Sequence, residues 1–124
     1  GVIMNNQTVD IFNPKTIRST MGSIFRVPIV YVPDLAPVLE QMHAKGIYTY
    51  AAHLKGQEYY DSFSFREPTA FLIGNEGNGL SKEISDQAGQ YLKIPMEGRV
   101  ESLNASIAAA LLMYEAHRQR SARL

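Results

Sequence analysis

Residues 74–79, Gly74-Asn75-Glu76-Gly77-Asn78-Gly79, set three glycines around one carboxylate, directly after an apolar run over 69–73. Glycine-rich turns between a strand and a helix let backbone N–H groups approach a ligand closely. This turn matches neither familiar phosphate loop. A P-loop ends in Gly-Lys-Ser/Thr, whereas Gly79 is followed by Leu80 and Ser81. The dinucleotide fingerprint is G-x-G-x-x-G; here the order is G-x-x-G-x-G with Glu76 inside it. A carboxylate there repels a pyrophosphate and favours a ligand carrying positive charge, such as a sulfonium or an amine. Spacing alone leaves a plain strand-to-helix turn equally open.

A second loop, residues 94–104 (IPMEGRVESLN), follows the next apolar run. The N–H and C=O groups of an irregular loop can read the edge of an adenine without any charged side chain. Met96 and Leu103 are placed to sandwich such a ring, with Ser102 and Asn104 facing the same cleft from the start of the last helix. The alternative makes Ser102 a helix N-cap and Asn104 a first-turn polar residue. The three histidines, His43, His53 and His117, are not spaced as a metal-ligand set, and no metal is expected. With no cysteines, disulfides and thiolate metal sites are excluded.

The chain of 124 residues is expected to form one α/β domain. Twelve cations balance twelve carboxylates, so there is no global basic footprint of the kind a general nucleic-acid binder carries. No apolar run approaches the ~18 residues of a membrane span or reads as a secretory signal, and the cytoplasm is the expected location. Gly1-Val2-Ile3-Met4 reads as a strand already under way, which suggests a larger protein with an N-terminal part not included here.

The positioning elements alternate strand and helix. Asn13 and Pro14 carry helix-start chemistry, and a helix is predicted over 14–23 with Ile17 and Met21 on one face. A short strand follows over 29–32. A helix with Leu35, Val38, Leu39 and Met42 inward is stopped by Gly46. Residues 47–52 form the next strand. The least regular stretch, 53–67, carries one helical turn around 57–60. Strands over 69–73 and 91–94 precede a long final helix, capped by Ser102 and running to about Arg120. Leu103, Ile107, Leu111, Leu112 and Tyr114 make that helix apolar over most of its circumference until Glu115. It is therefore expected to be buried by the sheet and by a second subunit. The fold class is α/β, a mostly parallel sheet flanked by helices.

Residues 71–80 (FLIGNEGNGL) followed by 94–105 (IPMEGRVESLNA) resemble the second and third motifs of the SpoU–TrmH branch of SPOUT methyltransferases. Residues 13–28 (NPKTIRSTMGSIFRVP) resemble the segment that those enzymes carry between their first and second motifs. The resemblance covers nearly the whole chain. It implies an S-adenosylmethionine-dependent methyltransferase acting on a ribose 2′-hydroxyl of rRNA or tRNA. It also implies a C-terminal trefoil knot and a homodimer. Under it, Gly74, Ile94 and Leu103 contact the cofactor mainly through backbone, and Ala51, Ala52 and His53 flank the adenosine. Asn75, Glu76, Gly77, Gly79, Met96, Ser102 and Asn104 complete the cofactor loops, and Glu76, Ser102 and Asn104 fall at the active site. Lys15, Arg18 and Arg26 are candidate RNA contacts. The family's first motif, an Asn and an Arg on an early helix, is not found. The expectation is one methyltransferase domain that lacks its first strand–helix unit and any upstream RNA-binding domain, and that is inactive by itself. Methylation of a base nitrogen, or a non-catalytic cofactor- or RNA-binding role, are the competing readings.

Overall fold

A computed structural model describes residues 1–121. They divide into two compact units, Gly1–Leu35 and a second that begins at Ala36. The first holds β1 (Val2–Met4), α1 (Pro14–Ser19) and β2 (Ile29–Tyr31). The second holds α2 (Ala36–Ala44), β3 (Tyr48–Ala52), β4 (Thr69–Leu72), α3 (Lys82–Gln87), β5 (Gln90–Leu92) and α4 (Ala105–Ser121). Where one sheet was expected, the strands form two: β1 beside β2, and β4-β3-β5. The pairings between these strands are parallel. Among the described residues no helix is long and apolar enough to cross a membrane.

In the first unit Asn13 caps α1 as expected, its Oδ1 accepting from the Lys15 N–H at 2.9 Å, with Pro14 in the first position. The helix then stops at Ser19, short of the expected end at Ser23. Met21 and Gly22 take left-handed backbone, φ 49° and 87°, which reverses the chain into a 3-10 turn at Ser23–Phe25. Met21, expected on one helical face with Ile17, lies beyond the helix and is 89% exposed. The Tyr31 hydroxyl donates to the Val9 carbonyl and accepts from the Ile11 N–H, tying the loop after β1 to β2.

In the second unit β3 lies between β4 and β5, with Ala51 opposite Leu72 and Tyr91. Gly46, at φ 73°, reverses the chain after α2 as its sequence position suggests. β5 ends at Leu92 rather than Ile94, because Lys93 turns to pair with the 58–60 segment. Its N–H donates to the Glu58 carbonyl, and its carbonyl accepts from the Tyr60 N–H, each at 2.9 Å. The helical turn of the irregular stretch falls at Tyr60–Ser62, later than the predicted 57–60.

The core joins Tyr50, Phe65, Leu92, Leu112 and Ala116. Phe65 meets Tyr50 and Phe71 edge-on, each at a centroid distance of 5.0 Å, the arrangement aromatic quadrupoles favour. The last helix starts at Ala105, and its cap is Asn104 rather than Ser102. The Asn104 Oδ1 accepts from the Ser106 and Ile107 N–H groups at 2.9 and 3.4 Å. Its inner face carries Leu112, Glu115 and Ala116, while Ile107, Met113 and Tyr114 are exposed.

Glu115, expected to mark the polar end of the apolar face, is buried. Arg118 donates to both of its oxygens, at 2.7 and 2.8 Å, and the Gln119 Nε2 donates to Oε1 at 2.8 Å. Gln119 also spans the Phe63 carbonyl and the Phe65 N–H, and Arg120 donates to the Phe65 and Glu67 carbonyls. The last turns of α4 thus clamp the 63–67 loop and hold Phe65 in the core. Hydrogen bonds from Arg118 and then Gln119 keep the Glu115 carboxyl below the usual carboxylate range, against the opposing effect of burial. A depressed folded pKa gives stability that is present above the unfolded value, about 4.3 for glutamate. That stability is lost as pH falls through the folded value. We expect the urea midpoint to fall between pH 6 and pH 3, and to fall less in Glu115→Gln. Asp86, lowered chiefly by its hydrogen bond from Lys82, acts in the same direction. The difference between the two proteins is thus the readout, and equal falls would exclude Glu115 as a source.

Candidate functional site

Because β3, β4 and β5 run parallel, their carboxyl ends share one edge, where open α/β sheets place ligands. Central β3 delivers Ala51, Ala52 and His53 there, with Ala51 fully buried. β4 runs into the 74–79 loop on one side of it, and β5 into the 93–104 loop on the other.

The first loop is pinched shut on itself. The Gly79 N–H donates to the Asn75 carbonyl at 2.7 Å, and the Gly77 N–H donates to the Asn75 Oδ1 at 2.7 Å. Gly74 lies so close to the far side of the pinch that an added Cβ would stand 2.4 Å from the Gly79 carbonyl carbon and the Leu80 nitrogen. Gly79 has φ 65°, a region open to glycine at little cost. Two of the three glycines are thus required by geometry, one by close approach and one by backbone angle.

The second loop keeps Ile94, Met96 and Leu103 half-buried, and leaves Glu97, Arg99, Val100, Glu101 and Ser102 exposed. Its far end returns to the first loop through one hydrogen bond. The Asn104 Nδ2 donates to the Glu76 Oε1 at 2.7 Å. Asn104 therefore works at both ends of its amide: the oxygen caps α4 and the nitrogen ties the two loops together. Glu76 is exposed, and this tie engages only one of its oxygens.

The structure thus gathers Ala51, Ala52, His53, Gly74, Glu76, Ile94 and Asn104 around one sheet edge and joins Glu76 to Asn104 directly. Ser102 stands outside the helix. Lys15, Arg18 and Arg26 belong to the first unit, where all three are exposed. One participant escapes sequence reasoning. Tyr91 stacks on the His53 ring at 4.7 Å and 14°, and its hydroxyl donates to Asp86. The His53 Nδ1 accepts from the Lys55 N–H at 3.1 Å, so the neutral ring carries its proton on Nε2. No spacing rule pairs these two residues, because they meet only through the β3–β5 register. Burial and then the Asp86 charge push the Tyr91 hydroxyl pKa up. A cavity of about 430 Å³ lined by His43, Tyr48, Thr49 and Gly89 lies at the amino ends of β3 and β5, away from these loops.

The model of the SpoU rRNA Methylase family matches residues 1–114. The chain is 35% identical, over 97% of its own length and 48% of the other's, to a protein of Staphylococcus haemolyticus assigned to the TrmH family of tRNA/rRNA methyltransferases. It is similar to the SpoU methyltransferase AviRb of Streptomyces viridochromogenes, solved in complex with AdoMet. There the TM-score is 0.89 and the identity 36%, over 98% of this chain and 48% of that one. It is also similar to an RNA 2′-O ribose methyltransferase, with TM-score 0.83 and 31% identity over 97% of this chain and 46% of that one. The chain spans about half the length of these relatives.

Proposed function

Since the chain belongs to the SpoU rRNA Methylase family, we propose that it supplies the S-adenosylmethionine-binding part of an RNA methyltransferase that modifies a ribose 2′-hydroxyl. The observation that carries this reading is the Asn104–Glu76 hydrogen bond, which closes two backbone-rich loops over the carboxyl edge of a parallel sheet. The donor set suits the cofactor. Glu76 offers a carboxylate oxygen toward a sulfonium, and Gly74, Ile94 and Leu103 offer backbone toward an adenosine. Asn75, Gly77, Gly79, Met96 and Ser102 line the same loops, and Ala51, Ala52 and His53 form the floor.

The cofactor, when bound, supplies a methyl group already activated by positive sulfur. What remains for the protein is alignment of the ribose oxygen and removal of its proton. Glu76, Ser102 and Asn104 are the polar groups we assign to that edge. Asn104 holds the Glu76 carboxylate in place, and the exposed Ser102 hydroxyl is free to meet the ribose. Lys15, Arg18 and Arg26 are assigned to RNA phosphates. The C-terminal knot belongs to the same proposal, as does a homodimer in which a second copy covers Ile107 and Tyr114 of α4. The arginine that the resemblance places on an earlier helix has no counterpart among these 124 residues.

The test is transfer from tritiated S-adenosylmethionine to total RNA by the full-length protein. Label in alkali-resistant dinucleotides supports the proposal. Label in free bases replaces it with base methylation, and cofactor binding without transfer replaces it with a binding role. Two variants separate the jobs of Asn104. Asn104→Asp keeps a capping oxygen but sets a carboxylate against Glu76. It is expected to hold stability at low ionic strength within about 0.5 kcal/mol while weakening cofactor binding. Asn104→Ala is expected to lose about 1 kcal/mol as well, for want of a cap. Unchanged cofactor affinity in Asn104→Asp would remove the tie from the binding site.

A further inference from the structure

The first unit carries a surface that the cofactor loops do not use. Phe12 and Phe25 are 71% and 84% exposed, and both line a cavity of about 290 Å³ with Ile17, Ile24 and Val27. The left-handed pair Met21–Gly22 creates this surface, by turning the chain after α1 so that the Ser23–Phe25 turn comes beside the Phe12 segment. The stretch of chain that supplies it is rich in cations. Residues 11–33 include Lys15, Arg18 and Arg26 and no carboxylate, and none of the three makes a salt bridge among the described residues. Two acids flank the stretch, Asp34 and Asp10, and the Asp10 carboxylate is engaged in its own turn, accepting from the Phe12 N–H at 2.9 Å.

Exposed rings and exposed cations on one short stretch of chain are the two halves of a single-stranded nucleic-acid site: bases stack on aromatic faces while lysine and arginine meet phosphates. The cavity is at the small end of the range for bound molecules, about 300–1,000 Å³. That size suits one base better than a whole cofactor. We propose that this face holds an unstacked nucleobase of the RNA substrate between Phe12 and Phe25, with Lys15, Arg18 and Arg26 on the adjoining phosphates. The inference rests on the RNA methyltransferase reading for its partner, and adds to that reading a base-stacking site in a separate unit.

The test uses the full-length protein and a fluorescein-labelled, unstructured 12-nucleotide RNA, with cofactor affinity measured by calorimetry on the same samples. Stacking contributes roughly 1–3 kcal/mol per base, so the Phe12→Ala/Phe25→Ala double variant is expected to bind this RNA about tenfold or more weakly. Its salt dependence and cofactor affinity are expected to stay at wild-type values. The Lys15→Ala/Arg18→Ala/Arg26→Ala variant is expected to lower the slope of log affinity against log salt by about two, near 0.7 for each phosphate that is no longer neutralised. Should the double variant fold poorly, Phe25→Leu keeps apolar volume without a ring and is expected to lose RNA affinity while keeping the wild-type melting midpoint. RNA affinity within twofold of wild type in the folded aromatic variants overturns the inference. So does a change of oligomeric state with RNA binding intact, which would make the face an interface between copies. Wild-type protein that binds the RNA through Phe12 and Phe25 but takes no S-adenosylmethionine would sink the enzymatic reading and leave this surface standing.

Discussion

Gly74→Ala is expected to weaken S-adenosylmethionine binding at least tenfold, about 1.4 kcal/mol, while moving the thermal midpoint of the unliganded protein by only a few degrees. The added methyl would stand 2.4 Å from two backbone atoms on the other side of the 74–79 pinch, and 2.7 Å from the Gly79 Cα. No side-chain rotation relieves a clash with backbone, so the pinch must open and the Asn75–Gly79 bridge must break. Most of this loop is exposed, and opening it removes little apolar burial, which is why the global cost stays small. The geometry of the proposed cofactor edge, by contrast, is destroyed. Gly77→Ala is the internal control, since a Cβ there meets only the Asn75 Oδ1 at 3.3 Å. Calorimetric titration of the cofactor, with thermal melting of the apo protein, reads both effects. Equal affinities for the two alanine variants would mean that the pinch does not shape the site.

Phe65→Ala carries the larger stability effect, an expected loss of about 3–5 kcal/mol. Phe65 has no exposed surface, meets two aromatic rings edge-on, and is the point at which the 63–67 loop enters the core. Single domains are stable by roughly 5–15 kcal/mol, so this one truncation removes a large share of what holds the second unit together. The clamp from Gln119 and Arg120 then has no packed loop to grip, and α4 loosens at its carboxyl end. Phe65→Leu, which retains apolar packing but loses the edge-on ring pairs, is expected to cost distinctly less. Urea unfolding followed by far-ultraviolet circular dichroism measures both. A loss under 1 kcal/mol in Phe65→Ala would show that the loop is not part of the cooperative core.

These two residues also mark where reading the chain succeeds and where it stops. Gly74 is legible as part of a ligand loop because three glycines around a carboxylate are a local pattern, although the reason for that glycine, backbone approach to Gly79, is not. Phe65 lies in the stretch that shows no periodicity, and nothing local announces that it is wholly buried. Its ring packs with Tyr50, Leu92, Leu112 and Ala116, and its backbone is held by Gln119 and Arg120, more than fifty positions away in the chain. Glu115 is misplaced by sequence reasoning for the same reason. A helical wheel shows a carboxylate at the edge of an apolar face, but not the arginine and glutamine hydrogen bonds that let it be buried.

The alternation of strand and helix, the two loops at strand ends, the Asn13 cap with Pro14 and the stop at Gly46 all follow from residue type and spacing. Each depends on interactions within a few positions of the chain. The tertiary structure alone decides that α1 ends early at a left-handed Met21, that the strands divide into two sheets, and that His53 stacks on Tyr91. It also decides that Asn104, rather than Ser102, starts the last helix while reaching across to Glu76. An asparagine has one oxygen and one nitrogen to satisfy, and sequence can show that it is fit to cap. Only the parallel register of β3, β4 and β5, which brings the two loops to one edge, gives its nitrogen a carboxylate to meet.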